Sequence, residues 1–167
     1  GVDLSKSLTG KTIKSVNVMS GRYTKKPLQG LEELTEKLPS KCVGVGVHGK
    51  FMYILTASGV NILSTLGMTG QWSEKKTKHS RVCVETNEKR VFFNDQRNFG
   101  TLKLVYGPEK LQKKLFSLGP DIFSSDTTQE VFVSRLRKKD QKNITKALMD
   151  QAVIAGVGNY IKAEALW

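Results

Sequence analysis

The sequence predicts an α+β fold in two parts, strands first and helices after. Three observations carry this. Between residues 40 and 106, short apolar runs separated by Gly, Asn, Asp and Ser read as strands and turns. From Pro108 onward, apolar residues recur at helical spacing. At 167 residues and 38% apolar content, the chain can bury a core as one domain or two small ones. The change of period divides the chain into a strand-rich part, 1–107, and a helical part, 108–167.

The elements follow in order. "GVDLSKSLTG" reads as a helix that stops near Gly10, and "KTIKSVNVM" (11–19) alternates as a strand. Residues 28–39 carry a helical stripe at Leu31, Leu34 and Leu38, ended by Pro39. The strands "KCVGVGVHG", "KFMYILTAS", "VNILSTLGM", "RVCVETNEKRVFFND" and "GTLKLVYG" come next, the fourth a hairpin turning at 86–88. Pro108 opens a helix that ends by Gly119. "SDTTQEVFVSRLRKK" has several N-cap candidates and a Val131/Leu136 face, "NITKALMD" is a third helix, and 158–167 a fourth. The chain opens without Met, as if within a helix, and Trp167 sits in an uncapped one. A piece of a longer protein is expected.

Composition narrows the function. Lys and Arg number 27 against 15 Asp and Glu, a formal charge of +12, and both parts share the excess. A polyanion is the leading partner class, since such a surplus attracts phosphate backbones and releases their counterions. Cys42 and Cys83 form no CxxC pair and lie in strand-like runs, so they read as small buried hydrophobes in a reducing compartment. No zinc site assembles from the residues present. No apolar run approaches the roughly 18 residues of a membrane span.

Several stretches carry chemistry. "GVGVHGK" (44–50) imitates a nucleotide loop, but a strand follows Lys50 and Phe51 stands where a P-loop needs Ser or Thr. Its glycines suit close backbone approach, and Lys50 either projects onto a partner or guards a sheet edge. "AGVGNYI" lacks the third glycine of a dinucleotide loop. As a helix–turn–helix mouth it still presents free N–H groups to one phosphate. There Asn159 either caps the helix or aims its amide at that anion. "LGMTGQW" and "NDQRNFG" place Met68, Arg97 and Phe99 in glycine-rich loops. They are either anchors folded onto the core or a wedge for stacked bases, arginine bonding an exposed base edge. His79, after "KKTK", is a surface histidine or a phosphate contact, and Asp121, Asp126, Asp140 and Asp150 read as cap or turn residues.

With "GKF", "LGMTG", "KHSR", "DQRNFG", "LGPD" and "ALMDQAVIAGVGNYIKAEALW" in order, the chain resembles the formamidopyrimidine-DNA glycosylase/endonuclease VIII family through nearly all its length. The last stretch resembles that family's helix–two-turn–helix motif, and "SGRY" and "RNF" are most similar to versions from large DNA viruses. The resemblance implies a two-layer β-sandwich followed by a helical domain. It implies a bifunctional DNA glycosylase/AP lyase of base-excision repair, which flips an oxidised base from the duplex and displaces it with an N-terminal proline amine.

Carried over by motif, Lys50 contacts phosphates flanking the lesion and assists elimination. Met68, Arg97 and Phe99 fill the emptied stack, Arg97 facing the orphaned base, and His79, Lys142 and Asn159 hold phosphates. The implied partner is duplex DNA with a damaged base or abasic site, bound by a monomer in an intracellular compartment with genomic DNA and no membrane. The family's Pro-Glu start and its zinc or zincless finger are not among these residues. The chain alone is therefore expected to be inactive and to need no cofactor, zinc belonging to such a finger. Thr65 replaces a common histidine and Asn98 a frequent basic residue. The competing class is a DNA-binding module that recognises lesions or kinked duplex without chemistry.

Overall fold

The computed structural model describes residues 3–139 and 143–167. Asp3 starts the first helix, α1 (Leu4–Leu8), by accepting the backbone N–H groups of Ser5 and Lys6. Leu4 and Leu8, one turn apart, are both buried, so the helix is held by its apolar face. β1 (Thr12–Val18) follows, and then two short helices, α2 (Arg22–Lys25) and α3 (Leu31–Glu36). The helix expected over 28–39 is thus shorter at both ends. Gly30 enters it in the left-handed region (φ +82°), and Lys37 caps it before Leu38–Pro39.

Seven more strands complete the sheet: β2 (Ser40–His48), β3 (Phe51–Thr56), β4 (Val60–Thr65), β5 (Gln71–Ser73), β6 (Ser80–Thr86), β7 (Arg90–Asn94) and β8 (Thr101–Tyr106). They run in the order β5-β7-β6-β1-β2-β3-β4-β8. The order doubles back on itself, because Trp72 on β5, at one end, donates its indole N–H to Ser64 on β4, next to the other end (3.2 Å). The result is a β-sandwich. Ile13, Val84 and Phe93 from one layer share a core with Ile54, Ile62 and Leu102 from the other. Burial of these apolar surfaces is the main stabilising term. The Trp72 and Phe93 rings lie 5.4 Å apart within it.

Four helices follow: α4 (Glu109–Ser117), α5 (Gln129–Arg137), α6 (Ile144–Met149) and α7 (Asn159–Leu166). The Thr128 hydroxyl caps α5 at Val131 N, and the Asn143 side chain caps α6 at Thr145 N. The Val131/Leu136 face of α5 is only partly covered, with Val131 37% exposed.

By contacts the chain divides into two compact units. One comprises Gly1–Val47 and Phe51–Leu111, the other His48–Lys50 and Gln112–Trp167. The turn after β2 therefore groups with the helices, although it lies among strands in the sequence.

Candidate nucleic-acid interface

In the strand-rich unit, the loops 66–70 and 94–100 cross backbone to backbone. Gly67 has φ +59°, and a Cβ there would stand 2.8 Å from Gly100 N and from the Phe99 carbonyl carbon. Only glycine permits that approach. Asp95, 1% exposed, ties the crossing together. Its carboxylate accepts the Thr69 hydroxyl (2.5 Å) and Gly100 N (2.8 Å). Arg81 spans the back of the loop, donating to the carbonyls of Asp95 (2.8 Å) and Gln96 (3.3 Å) and to the Ser20 hydroxyl (2.9 Å).

On this frame stand the three candidate wedge residues. Met68 is 58% and Phe99 59% exposed, so neither is folded onto the core. Arg97 is also exposed, its Nη1 3.9 Å from Met68 Sδ and its backbone N–H bonded to the Thr69 hydroxyl. An apolar tip, an aromatic ring and a guanidinium are thereby presented together from rigid backbone. The backbone carbonyl of His79 accepts Asp95 N (3.0 Å), which ties the "KKTKHS" connection to the same loop. The His79 ring is partly exposed and forms no hydrogen bond among the described residues.

The helical unit holds Lys50 and Asn159. Three tethers fix the turn 48–50: His48 Nε2 pairs with the Gly119 carbonyl (2.7 Å), Gly49 N donates to Asp121 Oδ2 (2.6 Å), and Gly49 packs on the 155–156 backbone. Gly49 has φ +59°, and a Cβ would stand 2.6 Å from Gly156 N. Gln151 secures the other side, its amide accepting Gly156 N (2.9 Å) and donating to the Val157 carbonyl (2.9 Å). The loop Leu118–Asp121 is laced to the same turn, Ala155 N bonding the Pro120 carbonyl and Ile122 N the Ala155 carbonyl.

These contacts bring the Lys50 ammonium against Gly158, the N-cap of α7, so closely that a Cβ there would collide with it. No side chain caps this helix and its first turn holds no acid. Asn159 is the first helical residue, not the cap. Its amide oxygen accepts Lys162 Nζ (3.2 Å), which leaves its NH₂ group for another partner. A lysine cation thus faces the positive end of a helix whose first turn holds no acid, an arrangement that an anion would complete. Lys50 is in none of the ion pairs among the described residues, which join Lys6–Asp3, Lys11–Glu88, Lys89–Glu74 and Arg90–Glu85.

Asp95, Arg81, Asp121 and Gln151 are the positioning residues that motif reading missed. Asp121 does cap a local turn at Phe123 N, as expected, but its other oxygen holds the lysine turn. Lys142 and Asp140 lie outside the described residues. Cys42 and Cys83 are free and buried, and burial raises both thiols above their ordinary pKa. Among the described residues, no cluster of three or more His, Cys, Asp or Glu could hold a metal. No helix of the described residues is long and apolar enough to cross a membrane.

The fold and the two sites define a class: an α+β protein that pairs a β-sandwich carrying an exposed apolar–guanidinium–aromatic loop with a helical unit presenting a lysine at a glycine-capped helix mouth. The chain belongs to the formamidopyrimidine-DNA glycosylase family. Residues 2–102 match that family's N-terminal domain and 118–167 its H2TH domain.

Among curated relatives, the formamidopyrimidine-DNA glycosylase of Lactobacillus acidophilus is 32% identical over 168 residues, covering 96% of this chain and 59% of the relative. That of Streptococcus pneumoniae serotype 4 is 32% identical over 173 residues, with 98% and 61% covered. The chain thus spans about three fifths of their length. Of solved structures, the MutM (Fpg) protein of Thermus thermophilus superposes with a TM-score of 0.77 at 26% identity, over 96% of this chain and 58% of that one. Lactococcus lactis Fpg complexed with FAPY-dG-containing DNA superposes at 0.80 and 27% identity, over 99% and 63%.

Proposed function

We propose that these residues are the DNA-gripping part of a bifunctional DNA glycosylase/AP lyase that removes oxidised bases in base-excision repair. The observation that carries this reading is the Lys50 ammonium lodged at the uncapped N-terminus of α7, beside the Asn159 amide. One phosphate of the damaged strand fits there, held by the helix dipole, first-turn N–H groups and a lysine. His79 and Lys142 hold further phosphates of the duplex. Extrusion of the damaged nucleotide leaves a gap in the stack. Met68 and Phe99 fill it, and Arg97 bonds the exposed edge of the orphaned base.

The excision step needs an amine that attacks the sugar carbon bearing the base, expels the base, and becomes an imine as the bond between that carbon and the ring oxygen opens. Strand cleavage then follows by elimination of a phosphate, which Lys50 assists from the α7 mouth. An amine with the reference α-amino pKa of about 7.7–8.0 is far more available for this than a lysine near 10.4. The family's terminal proline is not among these residues, so residues 1–167 by themselves are expected to bind without excising, the chemistry requiring that nucleophile. No step assigned to these residues uses a cofactor.

Borohydride trapping on an oxidised-base duplex tests the reading. A chain in which the family's Pro-Glu start precedes these residues is expected to yield a covalent adduct, and residues 1–167 none. Absence of an adduct from the chain carrying that start would leave a binding module; an adduct from residues 1–167 at the same rate would put the nucleophile inside them.

A further inference from the structure

The segment "SGRYTKKPLQG" (20–30) has no role in that account, yet it carries three cations with no acid before Glu32. It is docked along the free edge of β8. Arg22 Nη2 donates to the Gly100 carbonyl, the Tyr23 hydroxyl accepts Leu102 N (2.7 Å), and the Gln29 carbonyl accepts Leu104 N (2.9 Å). Gly30, in the left-handed region, closes so tightly on the Leu104 carbonyl that a Cβ would overlap it. The Arg22 guanidinium also lies over the Tyr23 ring, 5.0 Å from its centroid. Two side-chain bonds and one backbone bond therefore fix the segment to the backbone leading out of the wedge loop.

Between segment and strand opens a pocket of about 220 Å³, whose walls include Arg22, Tyr23, Lys26, Thr101 and Lys103 and, among the described residues, no carboxylate. Strand alternation buries Leu102 and Leu104 and turns Lys103 outward beside Lys26. Neither ammonium makes a hydrogen bond or ion pair among the described residues. Lys103 follows Phe99 by four residues, no more than about 13 Å of extended chain. At about 3.4 Å per nucleotide step, that reaches phosphates within about four steps of the base gap filled by Phe99.

We propose that this pocket is a second phosphate-binding site, which takes a backbone phosphodiester of the same duplex near the wedge through Lys26, Lys103 and the outer face of Arg22. The inference rests on the DNA reading above. A polyanion suits it because its cations are exposed, line one pocket and form no ion pair among the described residues.

The experiment compares the unaltered protein, Lys26→Ala/Lys103→Ala, and a charge-matched control, Lys110→Ala/Lys113→Ala, binding an abasic-site duplex across a salt series. Loss of the one phosphate held there should flatten the log–log slope by about 0.9 and weaken binding roughly eightfold near 0.1 M salt. Preference for the base opposite the lesion should be unchanged. Lys26→Arg/Lys103→Arg should restore both slope and affinity. If the two alanine pairs behave alike while the unaltered protein binds steeply, the pocket is not a phosphate site and the DNA reading survives. If the unaltered protein shows no salt-dependent duplex binding, both fall.

Discussion

Replacing Asp121 by alanine should loosen the Lys50 turn and destabilise the helical unit together. The carboxylate accepts two backbone N–H groups, from Gly49 at 2.6 Å and Phe123 at 3.0 Å, which belong to segments over 70 residues apart in sequence. A hydrogen bond to a charged acceptor contributes about 1.5–3 kcal/mol. Asp121 is partly exposed, so water re-solvates part of what is lost, and the lower end applies to each bond. The loss is then about 2–3 kcal/mol for Asp121→Ala. Asp121→Asn keeps one acceptor oxygen but turns an NH₂ towards the other donor, and should lose about half as much.

Urea unfolding followed by far-UV circular dichroism reads the stability, and exchange of the Gly49 amide reads the tether itself. Affinity for an abasic-site duplex should fall about tenfold with Asp121→Ala, since a loss of about 1.4 kcal/mol corresponds to that factor. His48 keeps its bond to Gly119, so binding is weakened but not abolished. Stability within about 0.5 kcal/mol of the unaltered protein, with Gly49 exchange unchanged, would refute the tethering argument.

Arg97→Ala should cost on the order of 1–3 kcal/mol in lesion-duplex binding and blunt the preference for the opposite base. Asn159→Ala should weaken binding without altering that preference, because a phosphate contact positions without reading sequence. Competition titrations with each opposite base decide this, and identical profiles for the two variants would void the division of roles. Glu74 bonds Lys89 (2.7 Å) and Ser7 (2.6 Å), which hold its carboxyl below the ordinary glutamate pKa, the lysine contributing most. A depressed carboxylate contributes stability that is present above its unfolded pKa and disappears as pH falls through the lowered folded value. The stability gap between the unaltered protein and Glu74→Gln should therefore narrow on acidification across that window, and a gap that widens there would contradict the assignment.

Local pattern exposed the long strands and left the short elements hidden. β8 alternates plainly because Leu102 and Leu104 face a core while Lys103 does not. β5 has only three residues and exists through its pairing with β7, so periodicity has nothing to register. α2 is a single turn, fixed by the contacts of Arg22 and Tyr23 with β8. The glycines of "GVGVHGK" divide by cause. Gly46 leaves room for the Tyr53 ring and Gly49 for the backbone of Gly156, whereas at Gly44 a Cβ would meet only ordinary contact.

Motif reading singled out Lys50, Met68, Arg97, Phe99 and Asn159, of which the last four are exposed and Lys50 is partly buried against Gly158. It missed those that hold them. Asp95 and Gln151 resemble any loop polar residue until the backbone groups they satisfy are brought beside them by the fold. Asp121 showed its local turn but not the bond to Gly49 across the chain.

In the proposed function, Lys50 and the α7 mouth together hold one phosphate beside the lesion. A double-substitution cycle tests it: the protein with and without Lys50→Ala, each bound to an abasic-site duplex in which successive linkages flanking the lesion carry a neutral methylphosphonate. At one linkage, removing the charge should abolish the cost of Lys50→Ala, with a coupling of about 1–3 kcal/mol. A Lys50→Ala cost that stays the same at every flanking linkage would contradict the account.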